Sequence, residues 1–223
     1  MQKDSWGDAD LAAALFARLG AQVPHDILRE GEADELIRRI PDREQCLLKV
    51  VELCGEPASP RRLYLVALAY SWLGKDYAAQ AARYAEAYLH TAGWDALPSD
   101  VRDEDGIIVH HAMSQRAAVL VNLANAQESL GQEEKALFHF MEAYRLEPYN
   151  AMDAIRAADL ICKLRGRREA LDFLKQQKLS PYYEPTVYRD RFGKMCRNDL
   201  FQQMLNAALL KMSGRMKPRE VNL

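Results

Sequence analysis

Apolar positions recur along most of the chain at intervals of three and four residues, the spacing of a helix that lays one face on a core. Within residues 117–150, Leu120, Leu123, Ala124 and Leu130 form one such stripe. Ala136, Leu137, Phe140, Ala143 and Tyr144 form a second. Gly131 and Gln132 interrupt the pattern with turn chemistry, and Pro148 closes it, since proline is poorly tolerated inside a helix. The spacing predicts two helices joined by a short turn. The small residues Ala124, Ala136 and Ala143 stand where the two must approach closely. Residues 63–74 carry no charge over 12 positions. That length suits a buried core helix and falls well short of the roughly 18 apolar residues that cross a bilayer. No alternation of apolar and polar residues is long enough to predict a sheet.

Residues 8–19, 24–40 and 42–53 also show helical spacing, punctuated by Gly20, Pro41 and Gly55. Residues 95–116 open with Pro98, Asp100, Asp103, Glu104, Asp105 and Gly106, an acidic loop. Residues 107–116 are expected to extend the following helix backwards. Near the C-terminus, Asn198 and Asp199 read as a helix cap. Leu200, Phe201, Met204, Leu205, Ala208, Leu209 and Met212 then make an amphipathic stripe.

The helix pair repeats. Aligning residues 117–150 with 151–184 gives a period of 34. Ala154, Ala157, Ala158 and Ile161 then occupy the first-helix positions, with Ala170 and Leu174 in phase in the second. Residues 60–94 form another copy through Leu63, Val66, Ala67, Tyr70, Gly74, Tyr77, Tyr84 and Ala87, with a one-residue insertion near Lys75. The central unit, Leu120-x2-Leu123-Ala124-x2-Gln127, Gly131, then Ala136-x3-Phe140-x2-Ala143-x4-Pro148, resembles the tetratricopeptide repeat (TPR). Gln127 departs from it, standing where the family prefers an aromatic or apolar residue.

The resemblance implies an all-α fold, a TPR-type right-handed superhelical solenoid of antiparallel helix pairs with capping helices. It divides the chain into an acidic helical N-terminal segment (1–59), a first repeat (60–94) and an acidic loop with helix extension (95–116). A second repeat (117–150), a third (151–184), and a degenerate capping pair with a basic tail (185–223) follow. It also implies a groove, lined by the first helix of each repeat, that binds an extended peptide or a partner helix. By phase, Asn122 and Asn125 face that groove, with Arg156 and Asp159 in the next repeat and Tyr64 and Leu68, then Trp72, in the first. TPR proteins that hold a C-terminal carboxylate use Lys, Asn and Arg at such positions. Asn122 and Arg156 match two members of that set, whereas Tyr64, Leu68 and Met152 occupy the others. The expected peptide-binding residues are therefore Asn122, Asn125 and Arg156 for polar contact, with Tyr64 and Leu68 for apolar contact.

Charge and chemistry narrow the function. Of 223 residues, 49% are apolar and 28% charged, with a net charge of −2, the balance of an ordinary globular protein. Residues 1–59 carry 7 basic and 12 acidic side chains, whereas residues 151–223 carry 15 and 8. The acidic N-terminal part disfavours nucleic acid as a partner. The asymmetry offers an alternative reading, a self-assembling scaffold in which acidic and basic surfaces of different copies meet. Cys46, Cys54, Cys162 and Cys196 lack metal-ligand spacing and suit reduced thiols in a cytoplasmic protein. There is no GxGxxG, GxxxxGK[ST], HExxH or GxSxG. His110 and His111 point about 100° apart on a helix, so they do not share a metal easily. The expectation is a non-enzymatic adaptor, co-chaperone or regulatory subunit with a protein or peptide partner. It needs no cofactor and has no membrane span; an enzyme with its site in the N-terminal helices is the remaining alternative.

Overall fold

The structure, a computed structural model, describes residues 6–21, 23–57, 59–91, 99–102, 108–112, 114–147 and 151–176. The chain divides into two compact units: residues 1–97 with 114–132, and residues 98–113 with 133–223. The division between Gln132 and Glu133 falls inside the predicted 117–150 repeat.

Unit 1 contains α1 (Trp6–Arg18), α2 (Glu30–Arg39), α3 (Arg43–Cys54), α4 (Pro60–Leu73), α5 (Ala78–Leu89) and α6 (Gln115–Ser129). Local chemistry sets where several of them start. Asp42 accepts from the Glu44 amide at 3.0 Å ahead of α3, and Ser114 from the Ala117 amide at 3.1 Å ahead of α6. Such caps satisfy amides that the first helical turn leaves without partners. Ser59 caps α4, whose first residue is Pro60, a position where the missing amide hydrogen costs nothing. A tight helical turn over Lys75–Tyr77 lies between α4 and α5.

The helices of unit 1 pack in a recurring relation. α4 packs on α5, α5 on α6, and α4 on α6; in the same way α1 packs on α3, α3 on α4, and α1 on α4. The result is two layers, α1, α4 and α6 in one and α3 and α5 in the other. The N-terminal segment thus supplies a helix pair equivalent to α4–α5, although its residues carry no recognisable repeat pattern. α2 is the extra element, laid on α1. It covers apolar surface with Ala33, Leu36 and Ile37. It is also held by ion pairs from Arg18 to Glu30 at 3.4 Å and to Asp34 at 3.0 Å. α4 lies at the centre of the unit, with seven consecutive residues, Leu63 to Ala69, all buried. A helix apolar all round belongs inside a protein.

Unit 2 contains β1 (Ser99–Arg102), β2 (Ile108–Ala112), α7 (Glu133–Leu146), α8 (Ala151–Arg165) and α9 (Arg167–Gln176). The strands pair antiparallel, Ser99 opposite Ala112 and Val101 opposite His110, with an irregularity between Val101 and Arg102. This corrects two expectations: residues 108–112 form a strand instead of a backward extension of α6, and a small sheet is present. β-Branched Val101, Ile108 and Val109 favour strand, and Asp105-Gly106 between the two runs is a hairpin signal. His110 and His111 lie on this strand and not on a helix.

α7 packs on α8 and α8 on α9. Phe140, Ala136, Ala143, Ala154, Ala157, Ala158 and Ala170 are fully buried among them. The acidic N-terminal turn of α7 meets the basic C-terminal turn of α8 through Glu133 with Lys163 and through Glu134 with Arg165 at 3.2 Å. Gly166 alone separates α8 from α9. Its φ is +101°, a left-handed conformation that costs residues with a Cβ. An added Cβ would meet nothing within 4 Å, so only the backbone resists substitution. Gly166→Ala is expected to lower stability by about 1–2 kcal/mol, read as a fall in urea midpoint with unchanged helical content.

Cys46, Cys54 and Cys162 are buried free thiols. Burial raises all three above the ordinary thiol value, Cys54 to about 12. The capping pair expected over 185–223, Cys196 and the closing Pro148 lie outside the described residues.

Candidate functional site

Four of the five expected binding residues stand in unit 1, on α4 and α6. Asn122 and Asn125 are half-buried on α6, three residues and about one turn apart. Asn122 is engaged within the chain: its Oδ1 accepts from the Ser71 hydroxyl at 2.7 Å, and its Nδ2 donates to the Ala118 carbonyl at 2.8 Å. The first bond ties α4 to α6 across the layer they share.

Tyr64 and Leu68 require correction. They are 4% and 7% exposed, and the Tyr64 ring packs against that of Tyr88 on α5 at 5.6 Å. Both belong to the core of unit 1 and offer no exposed apolar contact. The repeat's phase puts them on the groove side, but packing closes around α4 at these positions. Exposure begins further along the helix, where Ser71 is half-buried and Trp72 is 37% exposed.

Trp72 is held from two sides. The Phe16 ring of α1 meets it edge-on at 4.7 Å, and the Arg43 guanidinium of α3 lies 5.2 Å from its centroid. Such contacts fix an indole while leaving part of it open to a ligand. At the other end of α4, Arg61 is paired with Asp10 at 2.5 Å and donates to the Pro24 carbonyl at 3.3 Å. Phase already set Trp72 on the groove side; Ser71, and the contacts of Phe16 and Arg43 with the indole, are what phase alone did not supply. The one aliphatic hydroxyl in the uncharged stretch 63–74 was the signal for Ser71.

Arg156 stands in unit 2, on α8. It is half-buried, with its guanidinium 5.3 Å from the Phe140 ring centroid. Asp159, on the same helix, is 8% exposed.

α4 and α6 therefore carry hydroxyl, amide and indole groups, with the Arg43 guanidinium beside the indole. These suit hydrogen bonding to a peptide backbone and stacking on apolar or aromatic side chains. Among the described residues, no group of three or more His, Cys, Asp or Glu side chains could hold a metal ion. No described helix is long and apolar enough to cross a membrane.

No protein-family model matches the chain, and no curated protein matches it. Among solved structures, the chain is similar to PilF from Pseudomonas aeruginosa. Identity is 16% over 96% of each chain, with a TM-score of 0.32. The described part of the protein is all-α apart from one two-stranded hairpin.

Proposed function

We propose that this chain is a non-enzymatic protein–protein interaction module of the TPR type, an adaptor, co-chaperone or regulatory subunit of the cytoplasm. On this reading an extended peptide or partner helix docks on the layer of α4 and α6, along Ser71, Trp72, Asn122 and Asn125. One observation carries the reading: the packing relation of α1, α3 and α4 recurs in α4, α5 and α6, so a helix-pair array presents these polar and aromatic groups on one layer. Arg156 stands in unit 2 and is no part of this docking face. Self-assembly through acidic and basic surfaces draws less support, because α2 carboxylates are already engaged within the chain. Glu32 pairs with Arg29, Glu35 with Arg38 and Arg39, and Asp34 with Arg18.

The test is site-specific photo-crosslinking in a native cell extract, with the photoreactive residue at position 125 or at exposed position 80 on α5. A discrete protein adduct from position 125 and none from position 80 is expected. Trp72→Ala combined with Asn125→Ala should then weaken capture about thirty-fold, the size expected for a half-exposed anchor and one hydrogen bond. Equal adducts from both positions, or capture unchanged in the double variant, would falsify the assignment.

A further inference from the structure

α7 carries a second stripe, exposed on its outer side. Its inward side, Ala136, Phe140 and Ala143, is fully buried. On the outward side Glu134, Phe138, Met141 and Arg145 are exposed, at steps of four, three and four. That spacing is the seam of a coiled coil. Phe138 is 59% and Met141 44% exposed, while the flanking side chains of Glu134 and Arg145 are 65% and 72% exposed. Scattered surface apolar residues need no explanation. Here, however, the apolar pair has an acid at one end and a base at the other.

The stripe is complementary to itself when reversed. Laid antiparallel against a second copy, Phe138 meets Met141 of that copy and Met141 meets its Phe138. Glu134 then meets Arg145 of the second copy, and the reverse at the other end. The two charge pairs stand eleven residues apart, about 16 Å along the helix, and bracket the apolar centre. A parallel arrangement would instead oppose Glu134 to Glu134 and Arg145 to Arg145. Within the chain Glu134 pairs with Arg165 and Arg145 with Glu142 at 2.8 Å. These are exposed pairs of small net worth and readily exchanged.

We propose that α7 is a self-recognition helix, through which two copies of this chain pair antiparallel across a twofold axis. Each copy uses the same patch, as a closed dimer requires. Four seam residues make a small interface, so the dimer is weak, with a dissociation constant on the order of 100 µM.

Sedimentation equilibrium on the full chain, from about 10 µM to about 1 mM, tests this directly. The mass is expected to rise from 25.4 kDa toward twice that value. Phe138→Glu should weaken association at least tenfold. Glu134→Lys and Arg145→Glu should each do the same alone, while an equimolar mixture of the two should associate like the wild type. Circular dichroism on each variant verifies that the helices are intact. A wild-type chain that stays at 25.4 kDa throughout overturns the proposal. So does a dimer indifferent to Phe138→Glu, or one unaffected by either single charge reversal. A dimer abolished by salt but not by these variants would place assembly on the acidic and basic surfaces instead.

Discussion

Phe140→Ala is expected to cost the protein about 3–5 kcal/mol, the largest effect of any single substitution considered. Phe140 is fully buried on α7 and ranks among the largest completely enclosed side chains of the described residues. Truncation removes its transfer energy and leaves a cavity among alanines, Ala136, Ala143 and the buried alanines of α8. None of these is large enough to collapse into the space. It also takes away the ring beneath the Arg156 guanidinium, a contact worth roughly 0.5–1 kcal/mol at a half-exposed site. Because a domain's whole stability is only about 5–15 kcal/mol, the variant should populate unfolded forms at room temperature. Urea unfolding followed by circular dichroism checks this, with dilute Phe138→Ala as the control. That side chain is two residues away but 59% exposed, and its loss should shift stability by no more than about 0.5 kcal/mol.

Stability should fall as pH rises from 5 to 8, and Asp153→Asn should remove most of that fall. Asp153 is 1% exposed on α8. Burial raises its carboxyl from an ordinary value near 3.8 to about 7, with the Glu147 charge adding to the effect. The folded chain therefore holds this proton up to about pH 7, while the unfolded chain releases it near pH 4. Between those values the folded state binds more protons, so its stability declines with rising pH. The contribution is fully present below pH 4 and lost by the time pH has passed 7. From pH 5 to 8 the loss attributable to this group is about 2–3 kcal/mol. Urea midpoints of wild type and Asp153→Asn, measured across that range, should converge at pH 5 and separate at pH 8, the variant being the more stable there. Parallel curves would mean that Asp153 ionises normally in the folded chain.

Much of the helical architecture was legible, and the losses have physical causes. The stripes through Leu120, Leu123, Phe140 and Ala143 mark faces that the structure buries. The uncharged stretch from Leu63 announced a helix enclosed on all sides. That same stretch contained the warning against Tyr64 and Leu68 as binding residues: over Leu63–Ala69 the helix is apolar around its whole circumference and leaves no side exposed there. Repeat phase says which way a residue points, but not whether a neighbouring helix stands there. The role of α1 and α3 as a helix pair was illegible for a related reason. Packing of one pair on the next demands small and apolar surfaces, which Ala12, Ala13, Ala14, Leu47 and Val50 provide without any family pattern. The strands around residue 105 were missed because each is only four or five residues long, too short for alternation to outweigh neighbouring helical periodicity. Phase singles out Asn122, but its bond to Ser71 joins residues 51 apart in sequence, and no local pattern carries that.

The three buried thiols also give the molecule internal clocks. Only a thiolate attacks an alkylating reagent, and Cys54 at 0%, Cys46 at 2% and Cys162 at 7% exposure are shielded in the closed fold. Each can be labelled only as fast as the helices around it part. Cys46 and Cys54 time the loosening of α3 within unit 1, whereas Cys162 times that of α8 within unit 2. Labelling rates resolved by residue would thus report, without any added probe, whether the two units breathe together or each on its own schedule.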